Sequence, residues 1–191
     1  LSEPFESLFT QGMVCHETYK DPDNNWISPD EIETIDGKKY LKNDKSKNVK
    51  VGPSESMSKS KKNTIDPENI ITSYGADAAR LFILSDSPPE KDVQWSDTGI
   101  SASFKFLQKL WSLNEKICKN KKKFSKFDKE LEKFNNQIIK KLNDDLGKFG
   151  FNVVIASIYK IYSFYNQQTK KEDWGSNFNK NYTNILKIIN P

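Results

Sequence analysis

The chain has 191 residues, of which 35% are hydrophobic and 29% are charged, and its mean hydropathy is −0.77. No segment approaches the ~20 consecutive apolar residues that a membrane-spanning helix requires, so the composition excludes such a helix. The formal net charge is +4 and comes almost entirely from lysine, since Arg80 is the only arginine. This balance permits a nucleic-acid partner without requiring one.

The first half contains signals for short strands and turns. The apolar run 8–15 predicts a buried strand. Residues 19–50 are polar and rich in turn formers, and we interpret them as an inserted surface module. Within this module, Asp36 and Gly37 separate two short runs, a pattern that is typical of a β-hairpin.

Two helices are predicted in the middle of the chain. Asp66 provides a capping acid before Pro67, which favours a helix start, and Gly75 favours its end in the left-handed region. A second helix is expected over about 77–84, because Pro88 follows closely and cannot continue it.

The second half carries apolar stripes at three-to-four spacing, which predict helices that pack on one another. The members are Phe104, Leu107, Leu110, Trp111 and Asn114 in a long helix from Ser96; Phe127, Leu131, Phe134, Ile138, Leu142, Leu146 and Phe149; Phe151, Val154, Ile155, Ile158, Tyr162 and Tyr165; and a last helix from near Tyr182. We expect Trp111 and the spaced tyrosines 159, 162 and 165 in the interior. The predicted fold class is α+β, mainly α, with a small β portion followed by an antiparallel helical bundle.

Signals for metal binding and targeting are sparse. Cys15 and Cys118 form no CxxC pair and His16 is the only histidine, so no zinc-binding spacing is present. We therefore predict no metal site and a reduced chain in the cytoplasm. The chain begins at Leu1 and stops at Pro191 directly after an apolar pattern, which we interpret as a fragment of a longer protein.

The segment 56–63, with the sequence Ser-Met-Ser-Lys-Ser-Lys-Lys-Asn, is the most informative about function. It lies between the polar module and the capped helix, so it is predicted to be a loop. Lysines flanked by small hydroxyl residues can close over a polyphosphate and neutralise the charge that develops on it. A solvated lysine-rich loop is the alternative, and these residues alone do not decide between the two.

The flanking residues add a family resemblance. With Met57 to Asn63 they closely resemble the signature-loop region of class I aminoacyl-tRNA synthetases, and most of all the leucyl-tRNA synthetases. The matching residues are Gln11 to Val14, Ile65 to Pro67, Ile70, Ile71, Tyr74 to Asp77, Ala79 to Phe82, Ser87 to Glu90, Asp92 and Trp95. The resemblance is dense over about 5–113 and continues as compatible helical patterns.

The resemblance implies roles for individual residues. Lys59 matches the second lysine of the KMSKS motif, which binds ATP and stabilises the transition state of amino-acid activation. Met57 and Ser58 match loop residues near the adenine, Ser60 completes the ATP-binding set, and Gln11 matches the edge of the adenylate pocket. No metal ligand is assigned.

One position departs from the family pattern. Ser56 stands where the first motif lysine is usual, although Lys61 and Lys62 remain nearby. The HIGH motif, which completes the family's active site, does not occur in this sequence. The resemblance therefore implies a chain that holds half of an active site and is inactive alone.

The resemblance also implies a domain organisation. Residues 1–18 correspond to the end of a Rossmann-type catalytic domain, 19–50 to a leucine-specific insertion, 51–96 to the loop and following helices, and 97–191 to a truncated anticodon-binding-type bundle. The implied activity is ligation of leucine to tRNA(Leu) with ATP and Mg²⁺. The implied partners are these substrates and the remainder of the same polypeptide, in a monomeric protein without membrane contact.

Two other functions stay open at this point. The lysine-rich segment 116–126 can contact tRNA phosphates or can be a solvated loop. A non-catalytic basic helical module that binds RNA is therefore one alternative. A structural interaction bundle without nucleotide chemistry is the other.

Overall fold

The computed structural model of the chain describes residues 4–120 and 122–189, which form two compact units that divide between Ser101 and Ala102. The strands are β1 (Val14–Lys20), β2 (Ile32–Ile35), β3 (Lys38–Leu41), β4 (Asp44–Asn48), β5 (Lys50–Ser56) and β6 (Val93–Gln94). The helices are α1 (Pro67–Tyr74), α2 (Ala76–Asp86), α3 (Asp97–Lys119), α4 (Lys129–Leu146), α5 (Phe151–Gln168) and α6 (Phe178–Ile189). Among the described residues, no helix is both long and apolar enough to cross a bilayer.

The first sheet of the N-terminal unit has the order β5-β1-β6, with β5 antiparallel and β6 parallel to β1. The prediction of a buried strand over 8–15 is wrong, because β1 begins only at Val14, and Leu8 and Met13 are 89% and 56% exposed. An apolar run without alternation does not reveal where backbone pairing starts. In this chain, pairing with β5 begins at Cys15.

The second sheet has the order β2-β3-β4 and confirms the predicted hairpin. Asp36 and Gly37 connect β2 and β3 with φ values of 48° and 77°, as a two-residue turn with both central residues in the left-handed region requires. Buried Tyr19, Ile27 and Val49 pack together beside this sheet.

The two helices that follow residues 57–63, the lysine loop, form as predicted. The Asp66 side chain accepts a hydrogen bond from the Glu68 amide and so caps α1. Gly75 ends α1 with a φ of 82°, and α2 starts at the next residue and continues to Asp86. Phe82 of α2 contacts Trp95 edge to face, with ring centroids 5.3 Å apart, so Trp95 is a packing residue in this unit.

The C-terminal unit is a helical bundle whose core contains side chains from α3, α4, α5 and α6. The buried members are Leu113, Ile117, Leu131, Ile138, Leu142, Ile161, Tyr165, Trp174, Phe178, Tyr182 and Ile185. Tyr165 lies at its centre, with its ring 5.3 Å from that of Phe178 and 5.1 Å from that of Tyr182. Burial raises the pKa of Tyr165.

Several details of the predicted stripes are wrong. Trp111 is 66% exposed, and its indole donates to Glu115, because the buried face of this helix contains Phe106, Leu113 and Ile117 instead. The spacing predicts the wrong buried face for α3, because apolar residues lie on both sides of this helix. Tyr159 is 39% exposed, although its ring rests on Phe106.

The ends of the other stripes also differ from the prediction. Phe127 and Phe149 lie outside α4 and are about half exposed, because Asp128 caps the helix and fixes its start at Lys129. Helix α6 begins at Phe178, four residues before the expected start at Tyr182.

A polar network is enclosed in the bundle. Asn135 of α4 and Asn181 of α6 are almost fully buried, and the amide of Asn135 donates to the Asn181 oxygen at 3.1 Å. The Tyr165 hydroxyl donates to the Asn135 oxygen, and the Asn181 amide donates to Glu132 at 2.7 Å. This last hydrogen bond, together with one from Asn177, lowers the pKa of the Glu132 carboxyl.

Candidate functional site

The lysine loop leaves the end of β5, one of the two edge strands of the first sheet, and leads into α1. Its first residue is fastened to the sheet, since the Met57 amide donates to the Val14 carbonyl at 3.1 Å. The chain then turns through residues 59–62, where the Lys62 amide donates to the Lys59 carbonyl and Lys62 has a φ of 53°. Lys59 and Ser60 are exposed at this turn, while Met57 and Ser58 are partly buried.

The lysines of the loop have different surroundings. The Lys61 ammonium forms an ion pair with the Glu55 carboxylate, and both side chains are a little over one third exposed. Lys59, by contrast, forms no ion pair with any residue in 4–120 or 122–189. Lys61 is therefore committed to an internal partner and does not replace the motif lysine missing at Ser56.

The base of the loop is held by Asn63, whose side chain is fully buried. Its carboxamide oxygen accepts from the Ser58 amide at 2.9 Å, and its nitrogen lies 3.1 Å from the Glu55 carbonyl and 3.2 Å from the His16 carbonyl. Sequence reasoning gave this residue no role. The sequence contains 18 asparagines, and nothing in the local pattern distinguishes this buried one from the exposed ones.

Gln11 lies in a segment that runs beside residues 89–93. Gly12 donates to the Pro89 carbonyl at 2.8 Å, and the Met13 amide donates to the Asp92 carboxylate at 2.8 Å. Gln11 itself is exposed, and no hydrogen bond between the described residues joins it to the lysine loop. Met57, Ser58, Lys59 and Ser60 thus lie together on one short loop, and no hydrogen bond between described residues joins Gln11 to it.

His16 lies behind the loop base and is buried on β1, with its ring packed edge to face against Tyr19. No residue of the described chain forms a hydrogen bond with its Nδ1 atom. Burial lowers the pKa of His16, even though Asp97 and Glu17 act in the opposite direction. The residue is therefore a neutral packing histidine at physiological pH.

Lysines also line the surface of the helical bundle. Within the segment 116–126, Lys116 donates to Thr169 at 3.0 Å and Lys119 pairs with Glu115 at 2.9 Å, whereas Lys122, Lys123 and Lys126 are exposed. The segment also contains Lys121, which lies outside the described residues.

A shallow groove of about 400 Å³ continues this basic surface along α3. Lys105, Lys109 and Lys116 recur there on one helix face, beside the polar side chains of Gln108 and Asn166. No carboxylate lines this groove within the described part of the chain.

The chain is similar in sequence to known proteins. Residues 49–96, which include the whole loop, match the family model described as tRNA synthetases class I (I, L, M and V). The leucine–tRNA ligase of Rhodospirillum rubrum is 45% identical over 170 residues, covering 84% of this chain and 20% of the relative. That of Bartonella tribocorum is 45% identical over 171 residues, covering 84% of this chain and 19% of the relative. The resemblance to leucyl-tRNA synthetases is confirmed.

The likeness to leucyl-tRNA synthetases extends to the fold. A LeuRS of Agrobacterium radiobacter K84 (agnB2), solved as a ternary complex with tRNA and LeuAMS, matches with a TM-score of 0.59. Its sequence is 19% identical, and the match covers 70% of this chain and 18% of that chain. This similarity confirms the predicted fold class, α+β and mainly α. The chain spans about a fifth of the length of the leucine–tRNA ligases that it matches.

Proposed function

We propose that this chain is a segment of a leucine–tRNA ligase and supplies the loop that closes over ATP when leucine is activated to leucyl-adenylate. The observation that carries the proposal is the difference between Lys59 and Lys61. Lys61 is neutralised by Glu55, whereas the exposed Lys59 and Lys62 have no ionic partner in the described chain, and of these two only Lys59 matches a lysine of the family motif. A lysine without an internal counter-ion is available for phosphate.

In this proposal, the Lys59 ammonium stabilises the negative charge that grows on the departing pyrophosphate. Such a contact is stronger in the transition state than in bound ATP, so it accelerates the reaction. Met57, Ser58 and Ser60 lie against the nucleotide, and Gln11 lies at the edge of the adenylate pocket.

Mg²⁺ is the metal that the resemblance implies for the reaction. Within 4–120 and 122–189, no group of three or more His, Cys, Asp or Glu side chains could hold a metal ion. The described residues therefore provide no such cluster of ligands, and no step of the proposed mechanism is assigned to Mg²⁺.

The helical bundle is proposed to contact tRNA(Leu) through its lysines. The groove beside Lys105, Lys109 and Lys116 offers positive charge together with amide groups that can bind phosphate and sugar oxygens. Such contacts release counter-ions from the nucleic acid, so the affinity should fall steeply as salt is added.

The test of the catalytic role uses the full-length protein that carries this segment. We expect Lys59→Ala to lower leucine-dependent exchange of pyrophosphate into ATP by roughly 10²-fold or more, the scale of losing one preorganised donor. Lys62→Gly is the matched control, because it removes an ammonium from the same loop at a residue whose φ of 53° glycine tolerates. An equal loss in both variants would contradict the special role of Lys59.

The same groove favours one other function, a non-catalytic basic module that binds RNA. This alternative predicts salt-dependent RNA binding by the full-length protein that ATP does not alter, and no pyrophosphate exchange. We further propose a monomeric cytoplasmic protein in which the remainder of the polypeptide completes the active site. The 191-residue chain alone is then expected to bind tRNA weakly and to lack leucine activation.

A further inference from the structure

The carboxamide of Asn63 joins the lysine loop to two strands at once. Its oxygen closes a ring from Asn63 back to the Ser58 amide at 2.9 Å, so that residues 58–63 form one compact loop. Its nitrogen donates to the carbonyl groups of His16 and Glu55, with the Ser56 carbonyl further away at 3.5 Å. Because the side chain is fully buried, water does not compete for these hydrogen bonds.

The two carbonyl groups that receive the Asn63 amide belong to one cross-strand pair. His16 of β1 and Glu55 of β5 lie directly opposite each other in the antiparallel register. A single amide group therefore fastens the loop to both strands at the same level. The ion pair between Lys61 and Glu55 adds a second attachment to the same strand.

We propose that Asn63 is a positioning residue: its buried carboxamide fixes the ring 58–63 on strands β1 and β5 and thereby holds Lys59 where the loop meets ATP. The inference rests on the proposed role of Lys59. Asn63 itself contacts no nucleotide, since its side chain is enclosed by backbone.

Only a carboxamide satisfies this set of partners. Asparagine supplies both an acceptor for the Ser58 amide and N–H donors for the strand carbonyls. Aspartate keeps the shape and the acceptor, but it loses the donors and turns a carboxylate towards carbonyl oxygens. Alanine loses both the acceptor and the donors, which leaves the carbonyl groups of Glu55 and His16 without this donor.

The consequence for catalysis follows from geometry. A lysine on a loose loop still reaches the phosphates of bound ATP, but it spends little time at the position required in the transition state. Misplacement by about 1 Å can cost on the order of 10²-fold in rate. Loss of the Asn63 attachment should therefore lower kcat much more than it raises the KM for ATP.

The first test is a double-mutant cycle on pyrophosphate exchange by the full-length protein. Asn63→Ala is expected to lower kcat by roughly 10- to 100-fold, with the KM for ATP changed less than about threefold. In the Lys59→Ala background, the same substitution should have little further effect, because both changes remove one interaction. Asn69→Ala, at an exposed asparagine of α1, is the matched control and should leave both constants unchanged.

A purely structural role gives a different result. The effects of Asn63→Ala and Lys59→Ala would then multiply, or kcat and KM would change together with a fall in the unfolding temperature. Either outcome, or a wild-type kcat in Asn63→Ala, overturns the proposal.

The second test separates this inference from the proposed function. Amide hydrogen exchange on the 191-residue chain measures the attachment directly, at the Ser58 and Met57 amides. Asn63→Ala should abolish protection at Ser58 but leave it at Met57, which donates to Val14. Asn63→Asp, with the same shape, should expose Ser58 as well, because the donors that hold the ring are lost.

The two failures are distinguishable. If the wild-type full-length protein lacks leucine-dependent exchange, the proposed function fails while the Ser58 measurement still reports on the attachment. If Ser58 is unprotected in the wild-type chain, or stays protected in both variants, Asn63 does not hold the loop and the positioning role is wrong.

Discussion

Gly12 allows an unusually close approach between two backbone segments, and its substitution tests how the first sheet is held. A Cβ atom at this position would overlap the Lys91 carbonyl group and lie 2.6 Å from the Asp92 nitrogen. Favourable contacts of carbon begin near about 3.5 Å, so Gly12→Ala would push this peptide away by roughly 1 Å. The obstacle is backbone, and a change of side-chain rotamer does not relieve it.

The displacement would break hydrogen bonds that align β1 with β6. The bond from Gly12 to the Pro89 carbonyl is 2.8 Å, and lengthening by about 1 Å takes it out of the normal range of roughly 2.7–3.2 Å. The bonds from Met13 to Asp92 and from Val93 to the Met13 carbonyl lie on the same moving segment. Overpacking and the lost hydrogen bonds together should cost about 2–4 kcal/mol.

Native-state hydrogen exchange measures this cost locally. The amides of Val93 and Trp95 donate to the carbonyl groups of Met13 and Cys15, so their protection should fall by about 30- to 1,000-fold in Gly12→Ala. Gly37→Ala is the control, since its φ of 77° causes strain but a Cβ atom there has no neighbour within 4 Å. That substitution should cost about 1–2 kcal/mol in the β2–β3 hairpin only. Unchanged exchange at Val93 and Trp95 in Gly12→Ala would refute the reasoning.

Three further predictions concern the loop, the bundle and the buried histidine. Ser56→Lys in the full-length protein should leave pyrophosphate exchange unchanged or slightly raised, because it restores a motif cation at an exposed position; a large loss would show that this family pattern does not apply here. Trp111→Ala should change the unfolding free energy by less than about 0.5 kcal/mol, whereas the buried Trp174→Ala should cost about 3–5 kcal/mol, as urea titration can measure; similar costs would contradict the assigned burial. Because burial lowers the pKa of His16, the unfolded chain takes up a proton on this histidine at a higher pH than the folded chain does. The free energy of unfolding should therefore have its full value above about pH 6.5 and should fall as the pH drops towards the folded-state pKa. Urea midpoints at several pH values should show a smaller fall in His16→Phe, and an equal fall would exclude His16 as the cause.

Local signals predicted much of the secondary structure. The Asp36–Gly37 turn and the Asp66 cap depend on neighbouring residues only, so the sequence was sufficient for both. Burial was harder to predict because it depends on distant partners. Trp111 belongs to an apolar stripe that the bundle does not cover, while the buried positions of α3 were missed.

In the candidate site too, features that depend on neighbouring residues could be predicted and those that depend on distant residues could not. The resemblance was enough to propose Lys59 and its neighbours as site residues, because the motif is contiguous in sequence. The attachment through Asn63 was not predicted, since it depends on carbonyl groups of His16, 47 residues away, and Glu55, in a strand pair that no local pattern reveals. The ion pair between Lys61 and Glu55 could not be predicted either, because several acidic residues lie near Lys61 in the sequence and no local pattern selects one of them.

The buried side-chain amides of the bundle favour one alignment of α6 along α4 over alignments that are shifted by a helical turn. Phe178, Tyr182 and Ile185 repeat at helical spacing, so sliding α6 by one turn along α4 would still bury aromatic surface. The same slide would separate Asn135 from Asn181 and leave two enclosed carboxamides facing hydrocarbon. That penalty, on the order of 1–3 kcal/mol for each unpaired group, falls only on the shifted arrangement. The network thus selects the helix register, a task that interchangeable apolar contacts cannot perform.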